Sequence, residues 1–124
     1  MRRGLLLALA VLAGSQSAEA IASLRAVEQA YELARPDVQL PGSPDGLLTL
    51  RPCAGCRPLA LRVTPATAWF TQPGRRAPDG QAAVLTAFRL AAGTPGTLVY
   101  VYYEPQTRRV KRVVLDVPAR KARP

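Results

Sequence analysis

Cys53-Ala54-Gly55-Cys56 is the only stretch of this 124-residue chain whose residue types and spacing could support chemistry, and it holds both of the chain's cysteines. Such a pair can do three things. As a redox centre it would exchange disulfides with partner proteins, with Arg51 and Arg57 lowering the pKa of the attacking thiol, for which Cys53 is the better choice. As a metal site it would need two more ligands, which only a second copy of the chain could supply, because the sequence has no histidine and no further cysteine. As a staple it would close the tip of a hairpin, with Gly55 taking a positive φ in the turn.

The flanking residues favour the staple. Thioredoxin-type pairs open a helix whose N-terminus steadies the thiolate. Here Pro58 and the alternating Leu59-Ala60-Leu61-Arg62-Val63 announce a strand. Pro52 and Pro58 leave ladder pairing beside the tip incomplete, and a bridge between Cys53 and Cys56 would compensate. Thiol-disulfide exchange through Cys53 and Cys56 remains the alternative function.

The rest of the composition mostly excludes. Without histidine there is no Ser-His or Cys-His nucleophile pair and no His-bearing metal site. The acids Glu28, Glu32, Asp37, Asp45, Asp79, Glu104 and Asp116 are scattered, with no paired-carboxylate motif. An enzyme is therefore not the expectation, and neither a cofactor nor a metal is implied.

Residues 1–20 read as a cleavable signal peptide. Arg2 and Arg3 start it, Leu5 to Leu12 is apolar, and Ala18-Glu19-Ala20 places small residues at a cleavage site. The apolar run is shorter than the roughly 20 residues that span a bilayer. Residues 21–124 are then expected to form one small domain in the periplasm or outside the cell, where a disulfide persists.

Two amphipathic helices are predicted. In residues 22–34 Leu24, Val27, Tyr31 and Ala34 recur at helical spacing and Pro36 ends the run; in residues 81–92 Val84, Leu85, Phe88 and Ala91 do the same, stopped by Gly93 and Pro95. Pro- and Gly-rich connections fall at 36–46 and 71–80. Strands are expected at Leu47–Arg51 and Leu59–Val63, resuming near Thr67, Trp69 and Phe70 after a bend at a sheet edge. A hairpin is expected from Leu98–Tyr103 and Val110–Val117 about a turn at 104–108. The expected fold is α+β: two helices on one face of an antiparallel sheet of four or five strands, with a core including Leu24, Tyr31, Val84 and Phe88.

The segment Ala26–Ala34 aligns with Ala83–Ala91, with five identities and a Tyr-to-Phe exchange in nine positions. Two readings stay open: a duplicated αββ unit, or chance likeness between Ala-rich helices.

Binding is the remaining route to function. Alternation puts Tyr100 and Tyr102 on one strand face and Tyr103 on the other, and Trp69 and Phe70 join them as candidates, those left on the open face being available to stack on a peptide or glycan. The chain carries 17 Lys+Arg against 8 Asp+Glu, a formal charge of +9, with a concentration at Arg108, Arg109, Lys111 and Arg112 and a basic tail over 118–124. The expected function is an exported, non-enzymatic binding or structural module, contacting an envelope protein or an anionic envelope surface through its sheet face or basic C-terminal strand. Nucleic acid is an unlikely partner in that compartment.

Overall fold

The β-branched and aromatic run Leu98-Val99-Tyr100-Val101-Tyr102-Tyr103 cannot form a helix without crowding, and it forms the longest uninterrupted ladder of the protein. The computed structural model describes residues 28–119. Strands β1 (Gln29–Ala34), β2 (Val38–Gln39), β3 (Gly46–Leu50), β4 (Leu59–Val63), β5 (Ala68–Phe70), β6 (Leu98–Glu104) and β7 (Arg109–Asp116) make one seven-stranded mixed sheet, with a single α-helix, α1 (Gln81–Leu90), continued by a 3₁₀ turn at Ala91–Gly93.

This corrects the expected fold. There is one α-helix among the described residues, not two, and the sheet is mixed, not antiparallel. The predicted helix over 22–34 is wrong where it can be seen, because Gln29–Ala34 is a strand paired antiparallel with β6; Leu24 lies outside the described residues. Period two fits this short window as well as period 3.6: Tyr31 and Leu33 turn inward while Ala30, Glu32 and Ala34 are exposed. The open edge of β6 decides between them. The αββ duplication fails with it, since Ala83–Ala91 is helical where its counterpart is extended.

The strand order is β1-β6-β7-β4-β3-β2, with β5 also on β7. The two ends of this path, β1 and β2, are joined by only three residues, Arg35–Asp37. A chain that short reaches no more than about 15 Å. A flat six-strand path would be some 24 Å wide at about 4.8 Å per strand, so the sheet must roll into a barrel-like shell. Its concave face holds the core: Leu33, Leu48, Leu50, Leu61, Val63, Trp69, Val99, Val101, Tyr103, Val110, Val113 and Leu115.

α1 closes one opening of this shell. Val84 is fully buried in the core, and Ala87 and Phe88 pack beside it. At the helix start Gln81 Nε2 donates to the carbonyls of Pro41 (3.0 Å) and Ser43 (2.8 Å) in the β2–β3 connection. Toward its end Arg35 Nε donates to Phe88 O (2.7 Å) and the guanidinium covers the Phe88 ring at 4.3 Å.

β4 and β5 are one strand interrupted at Thr64–Thr67. Thr67 N–H bonds Thr64 O (3.0 Å), and its hydroxyl accepts from Thr64 N–H (3.1 Å) while donating to Val110 O (2.8 Å). Pro65 fits such a bend, lacking an N–H to satisfy. The resumption past Pro65 is as expected, but β5 runs parallel to β7 with Trp69 opposite Val113.

Candidate binding site

The β3–β4 hairpin carries the two cysteines at its tip. Its ladder runs from Gly46↔Val63 to Leu50↔Leu59 and stops before Pro58. Cys53 and Cys56 are disulfide-bonded, with Cα atoms 5.0 Å apart and Cys56 N–H bonded to Cys53 O at 3.1 Å. The expected positive φ at Gly55 is not found, so its conformational freedom is not what makes the turn. No helix begins here, and the disulfide has no helix dipole facing it.

The outer face of the other half of the sheet is different. Along the cross-strand row Glu32–Tyr100–Val114–Phe70, and the next row Ala30–Tyr102–Arg112–Ala68, side chains from four strands stand side by side. Tyr100, Tyr102, Phe70 and Val114 are half-buried and make an apolar floor. The segment Gln72–Arg75 forms one wall, and the groove encloses about 370 Å³.

Its charged groups are held in place. Arg112 lies over the Tyr102 ring, Cζ to centroid 3.9 Å, and pairs with Glu28 at 3.3 Å. Arg75 Nη1 pairs with Asp79 Oδ1 at 2.7 Å, and the Gln72 amide, oriented to satisfy its neighbours, accepts from Arg75 Nε at 2.9 Å. Asp79 Oδ2 also accepts from Thr71 N–H (2.7 Å) and Thr71 Oγ1 (3.0 Å), which closes the 71–80 loop into a fixed wall. The Thr71 amide bond in particular holds the Asp79 carboxyl below its ordinary pKa. At the opposite end lies Asp116; burial, then the charges of Glu32 and Asp116, push the Tyr100 hydroxyl pKa up.

Of the residues singled out in the sequence, Tyr100, Tyr102 and Arg112 meet in this groove. Trp69 does not join them: it is 4% exposed and points into the core, so Phe70, its neighbour, supplies the third ring. Arg108, Arg109 and Lys111 are exposed at the other end of β7. The register slips between Tyr102↔Arg112 and Tyr103↔Val110, leaving Lys111 as the extra residue of a β-bulge. Sequence reasoning missed Arg75, Val114 and Asp116, because the parallel β5–β7 pairing that builds this face leaves no local trace.

Among the described residues no cluster of three or more Cys, Asp or Glu could hold a metal, and no helix is long and apolar enough to cross a membrane. No family model, curated protein or solved structure matches the chain.

Proposed function

We propose that this protein is an exported, non-enzymatic binding module whose outer-face groove takes an extended peptide segment of another envelope protein. The observation that carries the reading is the side-by-side presentation of Phe70, Tyr100 and Tyr102 on an outward sheet face, rimmed by Arg75 and Arg112, each held in an ion pair, and by Asp116. An apolar floor rimmed by ion-paired side chains suits an extended segment that lays apolar side chains on the rings and meets the rim with its polar groups. Rings held by a sheet lose little freedom on binding.

Export is part of the proposal. Two observations support it: the signal-like sequence of residues 1–20, which lie outside the described residues, and the Cys53–Cys56 disulfide, which an oxidising compartment preserves. Cell fractionation with mass measurement tests it, the expected product lacking residues 1–20.

The binding reading is tested by placing a photo-crosslinking amino acid at Gln72, on the groove wall, or at Ala60, on the outer face of β4 away from the groove. The expected result is a defined envelope protein captured from Gln72 and not from Ala60. A synthetic peptide copied from the captured segment should then compete. Equal capture from both positions would defeat the proposal.

A further inference from the structure

The opposite end of the outer sheet face carries a second surface, independent of the groove. Cross-strand register sets Leu47 of β3, Arg62 of β4 and Arg109 of β7 side by side in one row. All three are exposed, Leu47 by 62%, unusual for a leucine in the middle of a ladder. The alternation that turns Leu48, Leu61 and Val110 into the core is what forces these three outward.

Around the row the charges are strongly biased. Arg108, whose carbonyl accepts from Arg62 N–H (2.8 Å), occupies the adjoining β6–β7 turn with φ 57°, and Lys111 is pushed out by the bulge. Arg51 and Arg57 lie farther off, flanking the disulfide tip at the other end of the same hairpin. Three acids also face this region, Asp37, Asp45 and Glu104, and Glu104 pairs with Arg109 at 3.6 Å. The positive excess persists after all three are counted.

We infer that this face docks on an anionic phospholipid surface, with Leu47 entering the headgroup boundary and Arg62 and Arg109 meeting lipid phosphates. The chemistry distinguishes a bilayer from an acidic protein. Guanidinium groups suit either, but an exposed leucine at the end of their row is matched by acyl chain and not by a carboxylate-rich surface. Each arginine near an anionic membrane contributes about a fivefold gain in partitioning.

Vesicle co-sedimentation of the full chain tests this, comparing phosphatidylcholine vesicles with vesicles containing phosphatidylglycerol. Any contribution of the N-terminal apolar run is common to all variants. The expected result is preference for the anionic vesicles, weakening with salt. Arg62→Gln with Arg109→Gln should lower binding about tenfold or more, and Leu47→Asn should lower it separately. The charge-matched pair Arg76→Gln with Arg89→Gln should leave it near the starting value. Circular dichroism checks that each variant is folded.

The proposal is overturned if the native chain shows no anionic preference, or if the control pair loses as much as the test pair. It is equally overturned if Leu47→Asn binds as well as the native chain while soluble polyglutamate displaces both, which would assign the face to acidic proteins.

Discussion

The ring of Tyr103 stacks on that of Tyr31, centroids 5.4 Å apart and planes within 4° of parallel, joining the edge strand β1 to the centre of the sheet. The Tyr103 hydroxyl donates to Gln29 Oε1 at 2.8 Å, a second side-chain tie between these two strands. Burial, together with the Tyr31 hydroxyl beside it, pushes the Tyr103 pKa up to about 12.

That shift makes alkaline behaviour predictable. The folded pKa lies above the unfolded value of about 10, so the native state holds the proton longer. The associated stability is whole below about pH 10 and declines as pH rises through the folded value of about 12. Ultraviolet titration should show two tyrosines shifted upward, Tyr100 and, in a distinct late step near pH 12, Tyr103. Tyr103→Phe should abolish that late step, at a cost of about 1 kcal/mol for the lost hydrogen bond.

Asp79 gives the opposite sign. Its pKa is held down chiefly by the Thr71 amide, so its contribution is present above the ordinary carboxylate range and fades as acid protonates it. The protection factor of the Thr71 amide, its exchange rate relative to the intrinsic rate at the same pH, should fall at low pH in the native chain. In Asp79→Ala, which removes the acceptor, protection should be low at neutral pH already, with little further response to acid.

The disulfide should prove dispensable. It encloses so few residues that its entropic contribution is about 2 kcal/mol, and the hairpin's register is set independently by Leu48 and Leu61, both fully buried. Cys53→Ser with Cys56→Ser should leave a folded protein with a lower melting temperature and intact peptide binding. Folded protein that has lost binding would return thiol chemistry to consideration.

Trp69 and Tyr100 should separate core from site. Trp69→Ala empties a buried position and should cost about 3–5 kcal/mol, read by thermal or denaturant unfolding. Tyr100→Ala with Tyr102→Ala, on the outer face, should cost less stability and remove crosslinking from Gln72.

What could be read from the sequence was local. The runs at Leu59–Val63 and Leu98–Tyr103 announce their strands because their neighbours in space are their neighbours in the chain, across one turn each. The helix at 81–90 is set by Val84 and Phe88 against a Gly-Gln start and a Gly93 stop. Residues 29–34 were misread because their composition, Gln, Ala, Glu and Leu, favours a helix while their partner lies some seventy residues away. The same distance hid the groove. Phe70 reaches Val114 only through a parallel pairing, and the bend at Thr64–Thr67 erases the alternation that would have told Trp69 from Phe70.

The three-residue link between β1 and β2 has a consequence for how the shell assembles. The first described strand to be synthesised pairs with β6, the next to last, and β4 must likewise wait for β7. Such late pairing raises the contact order and slows folding. While the chain emerges, β3 and β4 can zip at once, whereas Gln29–Ala34 stays an unsatisfied sticky end until the C-terminal hairpin arrives. Any factor that escorts the nascent polypeptide would find its most persistent target there.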